Sequence, residues 1–294
     1  MKNTLRDLYI GLWRICNGKP EQVLIELMQL TALNKKIVFY YKLTLMPVEP
    51  WRTGKVIRIV DETYNTRRFW IQVPELESFD FKAGQFVTLD LPIHEQKNKR
   101  WRSYSIASWP DGTNVFELLI VLLEGGLGTT YLFNEVREGS ELTLRGPQGV
   151  FVLPETIDKD LFFICTGTGI APFRSMLNYI QLHNVPHQNM YLLFGCRTQK
   201  DLLYHEEMKT LQGKLDGFTY LPTLSREDWD GRKGYVHSLY EEICKLDEEA
   251  CETIQELKPA KFYLCGWKAM IDDAKQKIMA LGYDRKAIHL ELYG

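Results

Sequence analysis

The chain is expected to fold as two domains of different class, an antiparallel β-barrel followed by an α/β domain built on a parallel sheet, with a short, mainly helical N-terminal extension ahead of both. Three observations predict this. Six short β-rich runs fall between residues 48 and 151 with no long helical pattern among them. After Pro154 the rhythm changes to strands alternating with helical segments, which is how a parallel sheet covered by helices reads in sequence. A length of 294 residues suits two domains plus an extension at roughly 100–200 residues per domain.

Residues 1–47 form the extension. Its clearest element is a helix over 20–34, where Pro20 suits a first helical position, Glu21 the positive helix end, and Leu24, Leu27 and Met28 one apolar face. A β-like run over 37–45 follows, and no chemistry is assigned to this segment. Residues 48–155 hold the barrel runs, at 56–60, 68–73, 85–91, 103–107, 115–123 and 141–145, each bounded by Gly, Pro, Asp or Asn. Residues 156–294 carry buried strands at 161–165, 190–194, 218–221 and 261–264, with helices near 172–183, 201–212, 236–257 and 267–281. A ligand of such a sheet belongs at the carboxyl ends of its strands.

The overall charge of −2 provides no field for nucleic acid or an anionic membrane. No run of about 18 uncharged apolar residues predicts a membrane span. The six cysteines make no C-x-x-C pair, metal-finger spacing or iron–sulfur run, so an electron-transfer cluster would have to sit on another polypeptide or domain. Free thiols without a secretory signal predict a cytoplasmic protein.

Three stretches carry chemistry. Thr166-Gly167-Thr168-Gly169-Ile170-Ala171-Pro172 follows a strand and opens a helix, the arrangement that presents backbone N–H groups to a phosphate. It lacks the full G-x-G-x-x-G dinucleotide pattern. In Arg102-Ser103-Tyr104-Ser105, strand alternation places Arg102 and Tyr104 on one face and the two serines on the other. Gly125-Gly126-Leu127-Gly128-Thr129-Thr130 ends a strand and starts a short helix capped by a threonine, a second anion site in the other domain.

These stretches, with Tyr263-Leu264-Cys265-Gly266 and the tail Glu291-Leu292-Tyr293, occur in an order that resembles the ferredoxin–NADP reductase superfamily over roughly residues 50–294, most closely its plant-type members. The resemblance implies FAD in the barrel and NADP(H) in the α/β domain. Arg102 would pair with the FAD pyrophosphate, completed by backbone around Gly126, Gly128 and Thr129. Tyr104 would pack on the flavin, and Ser105 would place its hydroxyl near the flavin N5. Thr168, Gly169, Ile170, Ala171 and Pro172 would hold the pyridine nucleotide. Cys265 and Glu291 would line the nicotinamide pocket, with Tyr293 on the outer flavin face.

Ser225 and Arg226, followed by Lys233 and Tyr235, are similar to the plant-type grip on an adenosine 2′-phosphate, for which a guanidinium, an ammonium and hydroxyls are the apt donors. Glu227 and Asp228 leave the ribose of NADH as the alternative. The run 115–123 lacks the basic residue and aromatic that plant-type members use for adenine, which leaves FMN as an alternative to FAD, and Gly294 extends the tail beyond Tyr293. The implied activity is hydride exchange between NADP(H) and FAD, with single electrons passed to or from a ferredoxin or flavodoxin. An NADH-dependent reductase feeding an oxygenase or cytochrome is the alternative. A flavin-binding subunit without turnover is the other class, and the set Ser105, Cys265, Glu291 and Tyr293 argues against it. For docking an acidic carrier, Lys97, Lys99 and Arg100 are the basic candidates.

Overall fold

The computed structural model describes residues 49–237, 239–240, 242–244 and 257–293, with Tyr293 by its backbone alone. The helix and β-like run expected within 1–47 lie outside these residues, as does most of the helix expected at 236–257. No helix of the described residues is long and apolar enough to cross a membrane.

Six antiparallel strands make the first sheet: β1 (Trp51–Thr63), β2 (Thr66–Gln72), β3 (Phe86–Asp90), β4 (Trp101–Ser105), β5 (Val115–Val121) and β6 (Glu141–Gln148), in the order β4-β3-β6-β1-β2-β5. The first half of β1 pairs with β6 and the second half with β2, and bulges after Val56 and Asp61 bend it between them. At the bend Gly54 has no room for a side chain, since a Cβ there would lie 2.5 Å from Leu144 and 2.6 Å from Ile71. The outer strands meet just beyond β4, where Ile106 bridges Leu118 and the Ala107 N–H donates to Glu117 O at 2.8 Å. That contact closes the sheet into a barrel around Val56, Phe69, Ile71, Leu89, Phe116 and Leu144. Between β5 and β6 lies helix α1 (Leu127–Asn134).

The second sheet is parallel, with strands β7 (Asp160–Thr166), β8 (Met190–Cys196), β9 (Phe218–Leu224), β10 (Arg232–Lys233), β11 (Ala260–Trp267) and β12 (Ile288–Tyr293) in the order β10-β9-β8-β7-β11-β12. Helices α2 (Ile170–His183), α3 (His205–Gln212) and α4 (Lys268–Ala280) accompany them. The helix expected from residue 201 begins at His205, because 199–201 form a 3-10 turn in which Thr198 and Asp201 make a reciprocal capping box. The chain runs outward from β7 to β10 and resumes on the other side of β7 at β11, so the strand order reverses between β7 and β11. A crevice at such a reversal is where open α/β sheets take ligands.

Alternation along β7 divides the core. Phe163 and Cys165 face α2 with Phe173, Met176 and Leu177, while Phe162 and Ile164 face Ile271 and Ile278 of α4. The first of these clusters also takes in Ala83, Ala107, Leu119 and Phe151 from the barrel side, so the two sheets share apolar packing. His237 is buried, with its Nε2 3.0 Å from Asp273 Oδ2 of α4.

Gly84 sits where the two sheets meet, at a φ of +100°. A Cβ there would lie 2.1 Å from Phe151 O and 2.3 Å from Met176 Cε. Gly84→Ala is therefore expected to lower the unfolding free energy by about 2 kcal/mol or more, from left-handed strain plus a backbone clash. Urea denaturation of the two proteins side by side checks this, and equal midpoints would refute it.

Candidate functional site

Register brings the site together from strands far apart in sequence. Cys265 on β11 is paired on one side with Cys165 of β7 and on the other with Glu291 of β12. The carboxyl ends of β7, β11 and β12 therefore converge at the strand-order reversal, beside the 3-10 turn Gly167–Gly169 that leads into α2. Gly169 packs directly on this junction, where a Cβ would lie 2.3 Å from Cys265 O. Next to it the Thr166 hydroxyl is buried without a hydrogen-bond partner and faces Gly266, whose Cβ would stand 2.6 Å away. An orphaned hydroxyl at the mouth of the crevice suits a polar ligand.

The barrel meets this junction at Ser105, whose Oγ donates to Glu291 Oε2 at 3.5 Å, a long contact of the kind that tightens when a ligand arrives. Burial pushes the Glu291 carboxyl up to about 7, against an opposing pull from the Ser105 hydrogen bond. The carboxyl is thus poised to hold or release a proton near neutral pH. Cys265 is fully buried. Tyr104 packs against the barrel core, and burial raises its phenol to about 12, so the ring presents itself uncharged. Tyr293 ends β12 opposite Trp267, and its side chain lies outside the described residues.

Within the barrel, α1 opens on Gly126 with no side-chain cap. The expected threonine cap is absent because the Thr129 hydroxyl turns back onto the preceding loop, accepting from Leu123 N–H at 3.1 Å and donating to Gly126 O at 3.1 Å. The N–H groups of the first turn, Gly128 and Thr129 among them, are left for an anion. Arg102 lies across that opening. A Cβ on Gly128 would stand 3.0 Å from Arg102 Cγ, and the guanidinium is anchored by donating from Nη1 to Lys99 O at 3.0 Å and Trp101 O at 2.8 Å. A bare helix end with a guanidinium laid over a glycine fits a pyrophosphate.

At the carboxyl ends of β8 and β9, Ser225 donates from Oγ to Cys196 O at 3.2 Å, and Arg226 N–H donates to Arg197 O at 3.0 Å. Arg226, Lys233 and Tyr235 are exposed, and Lys233 is ion-paired with Asp228. Glu227 is occupied by Gln199, accepting its N–H at 2.8 Å and its side-chain amide at 3.0 Å. Thr168, Ile170, Ala171 and Pro172 follow one another through the turn after β7, on the crevice side of the sheet. Of the basic docking candidates, Lys97 and Lys99 are exposed on a 3-10 turn, but Arg100 is tied to Asp90 at 2.8 Å and to Leu91 O at 3.2 Å. Two positions escaped sequence reasoning. Arg197 stands beside Ser225 and Arg226, and a cation just past a strand end was its signal; Thr166 was legible only as the start of the glycine turn.

The family described as the oxidoreductase FAD-binding domain matches residues 53–153, and that described as the oxidoreductase NAD-binding domain matches 163–276. A ferredoxin–NADP reductase B of Sorangium cellulosum is 34% identical over 224 residues, 74% of this chain and 87% of the relative. The electron transfer component of an anthranilate 1,2-dioxygenase from Acinetobacter baylyi is 32% identical over 68% of this chain, which spans only 54% of that relative. Among solved structures, a ferredoxin–NADP+ reductase from Neisseria gonorrhoeae with bound FAD and NADP superposes with a TM-score of 0.67 at 26% identity, covering 82% of this chain and 98% of that one.

The raised Glu291 carboxyl has a stability consequence. The folded state holds the proton up to about pH 7 while an ordinary carboxyl releases it near 4.5, so the ionised side chain destabilises the fold increasingly between those values and constantly above them. Glu291→Gln, which mimics the protonated form, is expected to be the more stable protein by on the order of 2 kcal/mol at pH 8, discounted for partial exposure. The gap should shrink toward pH 4.5. Thermal melts across that range check it; a gap independent of pH would refute the assignment.

Proposed function

This chain belongs to the family of flavoprotein oxidoreductases that join an FAD-binding to an NAD-binding domain, ferredoxin–NADP reductases among them, and on that premise we propose that it transfers hydride between NADP(H) and FAD and exchanges single electrons with a ferredoxin or flavodoxin. The observation that carries this reading is the meeting of Ser105 from the barrel with Glu291 from the parallel sheet, in register with Cys265.

The residues divide the work. Arg102 and the first-turn N–H groups at Gly128 and Thr129, on the helix that Gly126 opens, would hold the FAD pyrophosphate, and Tyr104 would support the ring. The flavin, once bound, supplies the two-electron to one-electron conversion. Ser105 would offer its hydroxyl to the flavin from the barrel side. The turn through Thr168, Gly169, Ile170, Ala171 and Pro172 would seat the pyridine nucleotide, with Cys265 shaping the nicotinamide pocket and, by the family resemblance alone, Tyr293 assigned to the outer flavin face. Glu291 holds or releases the accompanying proton at its carboxyl. Apart from that proton, what these groups contribute is alignment.

Ser225, Arg226, Lys233 and Tyr235, with Arg197 beside them, are read as the 2′-phosphate grip. Glu227 is already engaged by Gln199, which supports NADPH over NADH, where an acidic group would be wanted at the ribose. The likeness to an anthranilate dioxygenase component favours the second reading, an NADH-dependent reductase feeding an oxygenase. Arg226→Ala separates them: it is expected to lower kcat/KM for NADPH by about 10- to 100-fold, the worth of a charged hydrogen bond to phosphate, and to leave NADH unchanged. A wild type preferring NADH, with no penalty from the substitution, would overturn the NADPH assignment.

For the carrier, Lys97 and Lys99 are the available cations beside Arg102. Changing both to glutamate is expected to raise KM for ferredoxin several-fold and flatten its dependence on salt. Steady-state assays at two ionic strengths read this, and an unchanged KM would remove the surface from consideration.

A further inference from the structure

Arg174 stands two residues after Pro172, yet it is buried against the barrel. Its Nη1 donates to Ala107 O at 2.8 Å and to Glu117 Oε2 at 3.1 Å, and its Nε donates to Glu207 Oε1 at 2.7 Å. Glu117, in the middle of β5, also accepts from Arg68 Nε at 2.6 Å and from the Tyr204 hydroxyl at 2.7 Å. The Tyr204 ring is flanked by the guanidiniums of Arg174 and Arg68 at 4.4 and 4.9 Å. Its backbone is held at a φ of +51°, with its N–H donating to Glu62 Oε1 at 2.7 Å. The barrel contributes Glu62, Arg68, Ala107 and Glu117, and the α/β side contributes Arg174, Tyr204 and Glu207. The Arg174 hydrogen bonds to Ala107 O and Glu117 cross to the barrel, while its contacts with Glu207 and the Tyr204 ring stay on the α/β side.

We propose that Arg174, Glu117 and Tyr204 are positioning residues that lock the barrel to the parallel sheet in one register and so set the distance between Ser105 and the nicotinamide pocket at Cys265. The proposal rests on the reductase reading above. Its physical basis is direction. Apolar packing such as that of Ala107 and Leu119 in the shared core tolerates sliding, and buried ion pairs add little net stability over it. A planar guanidinium with three acceptors in place does not tolerate sliding, because any displacement strands a buried charge. The lock grips both active elements close to the chemistry. Ala107 is two residues past Ser105, and its N–H closes the barrel onto Glu117 O; Arg174 is in the first turns of the helix that follows the glycine turn. Tyr204 adds a strained backbone that only such a surrounding would hold.

The test compares wild type with Arg174→Met, Arg174→Lys and Tyr204→Phe as FAD-loaded proteins. Arg174→Met is expected to keep the flavin absorbance and the Kd for oxidised nucleotide, while the limiting rate of anaerobic flavin bleaching at saturating nucleotide falls by about 10- to 100-fold, as a displacement of about 1 Å would produce. Arg174→Lys should regain part of that rate. Hydrogen exchange measured without cofactors should rise at least tenfold in segments 105–109 and 170–176 of Arg174→Met and stay unchanged in 86–90. Should Arg174→Met fail to fold, Tyr204→Phe, which removes one hydroxyl from Glu117, carries the same test with a smaller fall in rate. Limiting rates within twofold of wild type together with unaltered exchange would overturn the lock. A wild type that no nicotinamide bleaches would overturn the reductase reading instead, and the exchange comparison would still decide the lock.

Discussion

A carboxylate placed in the middle of an apolar strand is the constraint around which the two sheets are arranged. Glu117 interrupts a buried run on β5 and is itself 2% exposed, a position that an unpartnered charge could not hold. Burial alone would raise its pKa, but the hydrogen bond from Arg68 and the nearby charge of Arg174 keep it below the ordinary carboxylate value. Burial likewise opposes the charge on Arg174, and the Tyr204, Glu117 and Glu207 side chains restore it. Arg68 of the barrel itself donates to both carboxylate oxygens, at 2.6 and 3.1 Å, and the α/β side adds Arg174 and Tyr204, so the group is held from both domains at once.

The consequence for the site is geometric. The strand that carries Ser105 continues directly into the residues that close the barrel and accept from Arg174, and the glycine turn proposed as the nucleotide seat leads directly into the helix that carries Arg174. Structural and functional contacts are therefore consecutive along the same two elements. The shared apolar cluster of Ala83, Leu119, Phe151 and Met176 supplies cohesion, while the charged cluster supplies direction. The electrostatics follow the same division: the tightly paired groups at the lock hold their charges firmly, whereas Glu291, with one long contact from Ser105, titrates near neutrality.

The two glycine-rich turns proposed as anion cradles differ in how they are built. At α1 the helix end is left bare because Thr129 is turned onto the loop before it, and Arg102 is pinned by carbonyls of its own strand entry. At β7 the cradle depends on Gly169 packing against Cys265 O, so the neighbouring strand sets its shape. The first is a local device, and the second exists only once β11 has been placed beside β7. At the far edge, Glu227 and Asp228 are engaged by Gln199 and Lys233, with Arg226 and Arg197 beside them.

Much of this was legible in the amino-acid sequence because it is local. Period-two runs, the change to strand–helix alternation after Pro154, and glycines following strands each reflect backbone preferences acting within a few residues. The order of the motifs then pointed to the flavin and pyridine-nucleotide family. What the tertiary structure alone decided are matters of register and partner. The pairing of Cys265 with both Cys165 and Glu291, barrel closure at Ile106, the tying of Arg100 to Asp90, and the burial of Glu117, Arg174 and His237 all depend on residues tens of positions apart. No local periodicity encodes which distant strand a residue will face, and a charge within an apolar run declares its purpose only when its partner, brought in by the fold, comes to lie beside it.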